Sequence, residues 1–84
     1  MVELRLFAAA REAAGRRTDT FDRAAAPTLA RLLDLARERY GAEFGAVLAT
    51  ARVWVNGDEP AEGLLTPLSE GDEVAVLPPV SGGA

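Results

Sequence analysis

The sequence predicts an α+β domain in which a mixed sheet of four to five strands carries one main helix on one face. Three observations predict it. Apolar residues alternate with polar ones near both ends of the chain, a single stretch between them repeats its apolar residues at helical spacing, and 84 residues provide one core and no more. Hydrophobic residues make up 49% of the chain and charged residues 26%, which places it among folded globular domains and away from disordered ones.

Each element has its own warrant. Val2, Leu4, Leu6 and Ala8 alternate with Glu3, Arg5 and Phe7, the period of a strand with one face on a core. Gly15 and the charges between Arg11 and Arg17 predict a connection, after which Thr18, Thr20 and Phe21 return as the second strand of a hairpin. Pro27 and Thr28 signal a helix start, with the Thr28 hydroxyl placed to accept from a first-turn amide, although Arg31 stands where a glutamate would complete a capping box. Leu29, Leu32, Leu33, Ala36 and Tyr40 then share one helical face, and Gly41 ends the helix. Phe44, Val47 and Leu48 plug one end of the core from a short irregular or helical segment. Val53 and Val55 flank Trp54 in a third strand that stops at the turn signal Asn56-Gly57. Pro60, Gly63 and Pro67 keep the next stretch irregular, with at most a brief edge strand. Gly71-Asp72 turns the chain into a last strand, Glu73 to Leu77, halted by Pro78-Pro79.

One helix laid across a mixed sheet in this order suits a β-grasp, the ubiquitin-like fold. Its expected organisation is a domain over residues 1–78 and a flexible carboxy-terminal tail over 79–84. Alternation also sorts the faces. With Leu4, Leu6, Val53, Val55, Val74 and Val76 toward the helix, Phe7, Trp54, Ala75 and Leu77 fall on the opposite face and form an apolar patch suited to a partner. Isolated surface hydrophobes are the ordinary alternative.

Composition narrows the chemistry. The formal charge is −4, and nine arginines are scattered among thirteen acids, which argues against a nucleic-acid partner. The chain contains no Cys, His or Lys. A catalyst acting alone would lack a thiolate, an imidazole, a Schiff-base amine and the common soft metal ligands, so no bound cofactor or metal is expected. Glu3 and Arg5 interrupt the first apolar run before it reaches signal-peptide length, and no run approaches membrane-spanning length. A cytoplasmic protein without a membrane partner is the default expectation.

The segment SEGDEVAVLPPVSGG, Ser69 to Gly83, resembles the carboxy-terminal signature of molybdopterin synthase small subunits, members of the ubiquitin-like sulfur-carrier family. LFAAAREAAG, Leu6 to Gly15, is similar to their amino-terminal signature, and VWVNG, Val53 to Gly57, follows their middle strand less tightly. The resemblance implies a function centred on the chain's end. An ATP-dependent activating enzyme of the E1 type converts the terminal Gly carboxylate to an acyl adenylate, and a sulfur donor turns it into a thiocarboxylate. That sulfur is then delivered to a pterin precursor inside a larger synthase subunit, within a heterotetramer. ATP belongs to the activating partner. Sulfur carriage for thiamine, cysteine or another thio-metabolite uses the same terminus, and a protein modifier or plain interaction module is the remaining alternative.

On this reading Gly83 bears the reacting carboxylate once Ala84 is lost, and Gly82 precedes it. Neither glycine has a Cβ, so their backbone can thread a narrow channel. Pro78 and Pro79 fix φ and project the tail, and with Val80 and Ser81 they form the stalk that meets the partner. From Pro78 to Gly83 an extended chain reaches roughly 20 Å, enough to enter a pocket from a docked domain. Phe7 and Leu77 match apolar positions of the family, and Arg11 falls on its amino-terminal motif, where it can pair with a partner carboxylate. The chain departs from the pattern at Trp54, where a small residue is usual, at Glu59, where relatives often have an apolar contact, and at Ala84, since the family ends on its second glycine. A trimmed precursor, a sequence-end artefact and altered chemistry are the three readings of Ala84.

Overall fold

A computed structural model describes residues 1–79. Four strands form one mixed sheet: β1 (Val2–Leu6), β2 (Thr18–Phe21), β3 (Arg52–Val55) and β4 (Glu73–Leu77), in the spatial order β2-β1-β4-β3. β1 pairs antiparallel with β2 and parallel with β4, while β3 pairs antiparallel with β4. The first and last strands are therefore central neighbours, as a β-grasp requires.

Three helices join the strands: α1 (Ala8–Ala14), α2 (Leu29–Tyr40) and α3 (Ala42–Leu48). The main helix, α2, begins where its cap was expected. The Thr28 Oγ1 accepts from the Arg31 amide at 3.3 Å, which satisfies one of the first-turn donors. At its other end Gly41 adopts φ 99°, a value open to glycine, and the chain re-enters helix at once as α3. Leu29, Leu32, Leu33 and Ala36 are buried against Leu4, Val74 and Val76 of the sheet, and Phe44 of α3 is fully buried beside them. Burying a side chain of that size stabilises the fold by about 1.5–3 kcal/mol relative to exposure.

The region after β1 corrects the sequence expectation. Alternation does not continue through Ala8, and the connection is not a plain hairpin turn, because residues 8–14 form α1. The reason is local: an alanine-rich run has the highest intrinsic helix propensity, and Gly15 at φ 76° closes the helix by donating its amide to the Arg11 carbonyl at 2.9 Å. Less than two full turns long, α1 carries too little periodicity to be read from apolar spacing. Only Ala10 is fully buried on it. Ala8 begins the helix at φ 50°, a left-handed conformation unusual for a residue with a Cβ.

The Asn56-Gly57 turn forms as expected, with both residues at positive φ, 52° and 83°, as a two-residue type I′ turn demands. The Asn56 side chain then ties this turn to β4, accepting from the Glu73 amide and donating to Asp72, each at 3.0 Å. Between β3 and β4 the chain is irregular apart from a 3₁₀ turn at Gly63–Leu65 and an isolated bridge from Pro67 to Thr28. No fifth strand forms among the described residues. Thr66, buried in this stretch, donates to the Gly63 carbonyl at 2.7 Å and accepts from the Glu62 amide at 2.9 Å, so its hydroxyl is satisfied.

Candidate functional site

The last strand sets where the carboxy-terminal segment leaves the domain. β4 has a hydrogen-bonded neighbour on each side, so its end at Leu77 is fixed by two ladders. Pro78 and Pro79 follow it without regular structure, Pro78 half-buried and Pro79 exposed. Pro78 cannot donate a further ladder bond, so pairing stops there. Val80, Ser81, Gly82, Gly83 and Ala84 lie outside the described residues.

Strand register fixes which side chains share the face turned away from the helices. Arg5 stands opposite Thr18 on one side and Ala75 on the other, and Ala75 stands opposite Trp54. Thr18, Arg5, Ala75 and Trp54 therefore form one row across all four strands. Leu77 is paired with Arg52 in the next row. Phe7 lies just past β1, where its amide donates to the Val76 carbonyl at 3.3 Å. It is 42% exposed, whereas Trp54, Ala75 and Leu77 are half-buried. Register thus puts Trp54, Ala75 and Leu77 on one side of the sheet, and Phe7 follows the end of β1. Arg5 interrupts them, its Nε held 2.9 Å from Glu73 and 3.3 Å from Glu3.

Beyond that row the surface dips into a depression of about 280 Å³ lined by Arg5, Leu6, Phe7, Arg11, Arg17 and Thr18. Arg11 reaches it from α1, so the helix missed from sequence is what positions an expected contact residue. Arg17 and Thr18 were not expected there. The signal available was the Arg16-Arg17 doublet after Gly15, which becomes informative only once β2 is known to pair with β1.

The strongest electrostatic cluster sits elsewhere and is internal. Asp19 of β2, with a side chain only 11% exposed, accepts from the Tyr40 hydroxyl at 2.5 Å and from Arg39 at 2.9 Å. Arg16 lies 3.3 Å away, and the Thr20 amide donates to the other carboxylate oxygen at 2.8 Å. Desolvation pushes the Asp19 carboxyl upward, but the Tyr40 and Arg39 hydrogen bonds outweigh it and hold the group below its usual range. Burial first, then the Asp19 carboxylate, push the Tyr40 hydroxyl well above its usual range. All of these groups link β2 to the end of α2, which identifies the cluster as a fold-stabilising latch. Among the described residues no group of three or more acidic side chains is placed to hold a metal ion.

The pattern of the ThiS family matches residues 4–83. No curated protein sequence matches the chain. Among solved structures it is similar to SAMP1 from Haloferax volcanii, with 34% identity, 98% of each chain covered and a TM-score of 0.82. The small archaeal modifier protein 1 of Methanosarcina acetivorans is similar at 29% identity over 98% of this chain and 95% of that one, with a TM-score of 0.82. A complex of subunits 1 and 2 of the molybdopterin-converting factor from Helicobacter pylori contains a chain 28% identical, covering 98% of this chain and 97% of that one, with a TM-score of 0.69. The chain belongs to the ThiS family and is a ubiquitin-like sulfur carrier of β-grasp fold.

Proposed function

We propose that this chain carries sulfur on the carboxylate of Gly83, after loss of Ala84, and delivers it as the small subunit of a molybdopterin synthase. The single observation that supports the reading is the joined motif Gly-Asp-Glu, strand, Pro-Pro-Val, Ser-Gly-Gly over residues 71–83, in which the strand is β4. The Gly83 carboxylate attacks the α-phosphorus of ATP on an activating enzyme, and pyrophosphate leaves. Hydrosulfide then attacks the acyl carbon and AMP leaves, so one carbon–oxygen bond is exchanged for carbon–sulfur and the thiocarboxylate forms with no change of oxidation state. The larger synthase subunit receives that terminus and supplies the catalytic side chains.

The domain's role is to present and dock. Pro78 and Pro79 start the stalk, and the face bearing Phe7, Trp54, Ala75 and Leu77 meets the partner, with Arg11 beside it. Apolar surface with an aromatic member favours such contacts. Incubating the protein with a peptidase-containing extract of its host, and a chain ending at Gly83 in parallel, with the activating enzyme, ATP and sulfide tests the proposal by intact mass: hydrolytic loss of Ala84 from the first, and replacement of one oxygen by sulfur in both, are expected. An unchanged mass overturns it. Deleting Gly83 and Ala84 abolishes sulfur delivery and leaves the thermal unfolding midpoint unchanged.

The similarity to two archaeal modifier proteins favours a second reading, in which the activated terminus is joined to an amine of another protein. Having no lysine, the chain is then a donor and offers no side-chain amine as acceptor. The acceptor separates the two: a pterin precursor that gains sulfur, or a protein that gains the mass of this chain. Carriage toward thiamine or cysteine is read out by the same mass experiment with a different acceptor.

A further inference from the structure

We propose that Asp19 and Arg39 hold shut a strand-addition site on the free edge of β2, and that the occupant they exclude is a second copy of this chain. The inference stands apart from the carrier reading, since it concerns the sheet and not the terminus. In the order β2-β1-β4-β3 both outer strands have one side without a neighbouring strand. An edge strand turns the amide and carbonyl of every second residue outward, where they can pair with another chain. The Leu6 amide bonds to the Arg17 carbonyl, so in this register Asp19 and Phe21 also face β1, while Thr18 and Thr20 point out. The outward position at Thr20 is closed from within. Its amide donates to Asp19 Oδ1 at 2.8 Å, and its carbonyl accepts from Arg39 Nη1 at 3.3 Å. Thr18 has no such partner among the described residues.

The opposite edge is closed by other means. On β3 the outward residues are Val53 and Val55. The Val55 amide donates to the Asp58 carbonyl at 2.8 Å, and its carbonyl accepts from the Asp58 amide at 3.1 Å. A turn of the main chain therefore covers β3, whereas side chains alone cover β2, so β2 is the edge that one substitution opens. The register selects a second copy as the occupant. Antiparallel pairing about a two-fold axis at Asp19 sets Thr18 of each copy against Thr20 of the other and uses every outward group of the strand. The guanidinium of Arg39, which lies 4.1 Å above the Phe21 ring and reaches the Thr20 carbonyl, occupies the place that the incoming amide needs. With Thr20 closed, a single outward residue is left, too little for a ladder.

Amide exchange in the wild-type protein tests the closure without a variant: Thr20 should exchange about tenfold more slowly than Thr18, although both face outward. Asp19→Ala frees the Thr20 amide and releases Arg39. It should speed Thr20 exchange about tenfold and, in sedimentation equilibrium at millimolar concentration, take the chain from monomer to dimer. Isotope-filtered spectra of mixed labelled and unlabelled Asp19→Ala should show contacts between Thr18 of one copy and Thr20 of the other. Tyr40→Phe is the control, because it removes a latch hydrogen bond, keeps both edge bonds and should stay monomeric. Equal exchange at Thr18 and Thr20 in the wild type overturns the proposal, as does a folded Asp19→Ala that remains monomeric. A wild-type or Tyr40→Phe dimer through β2, or Asp19→Ala contacts confined to another face, overturns it as well. Every arm uses protein that carries no sulfur, so failure of sulfur loading removes the carrier chemistry without touching this result.

Discussion

Two arginine clusters border the β1–β2 pair and differ in what balances them. At the Asp19 latch, Arg39 and Arg16 converge on one shielded carboxylate that also accepts from Tyr40, and Arg39 lies 4.1 Å above the Phe21 ring. In the depression beside Phe7, Arg11 and Arg17 face solvent with no carboxylate of the described chain against them. The first cluster holds its guanidiniums on a carboxylate of the same chain, and its geometry is determined by the fold. In the second, Arg11 and Arg17 have no counter-charge among the described residues. Residue type therefore says little about an arginine's role, and the presence or absence of an internal counter-charge says most.

The contrast can be broken most severely at Asp19. Asp19→Ala strands the Tyr40 hydroxyl and the guanidinium of Arg39, and a loss of about 2 kcal/mol in urea unfolding is expected. The pH dependence of stability sharpens the same point. The folded Asp19 carboxyl titrates below its unfolded value of about 3.9, so its contribution is complete above that value and disappears as pH falls through the folded one. Asp19→Ala should accordingly flatten the acid limb below about pH 4. The raised Tyr40 hydroxyl acts on the other side: its contribution is complete below its unfolded value of about 10 and is lost as pH rises past it. Tyr40→Phe keeps the edge contact with Phe44, at 5.0 Å between ring centroids, and removes only the hydrogen bond, with an expected loss of about 1 kcal/mol. The smallest effect belongs to the other cluster. Arg11→Gln and Arg17→Gln should move stability by no more than about 0.5 kcal/mol, and a stability loss equal to that of Asp19→Ala would erase the distinction.

The sheet, α2 and both turns at Asn56 and Gly71 are legible in the sequence because those elements follow signals confined to a few neighbouring residues. Leu29 to Tyr40 repeats at helical spacing, Asn56-Gly57 has a single favoured turn, and Val74 and Val76 alternate cleanly. α1 is not legible, because Ala8 to Ala14 offers composition without periodicity and Ala8 reads as the continuation of a strand. The outer-face row was legible through alternation, whereas the depression was not. Its lining comes from β1, α1 and β2, and only the register of Arg5 against Thr18 brings Arg17 to Phe7. The latch was invisible for the same reason, since Asp19 and Tyr40 are related by tertiary contact alone.

The parallel ladder between β1 and β4 joins Glu3 to Glu73 and Leu6 to Val76, contacts that span nearly the whole chain. A nascent polypeptide cannot zip this seam until its last strand has been synthesised, and closing so long a loop delays the event further. An incomplete chain therefore has no anchored stalk to offer. Completion of the sheet and anchoring of Leu77, where the carboxy-terminal segment leaves the domain, are therefore a single event.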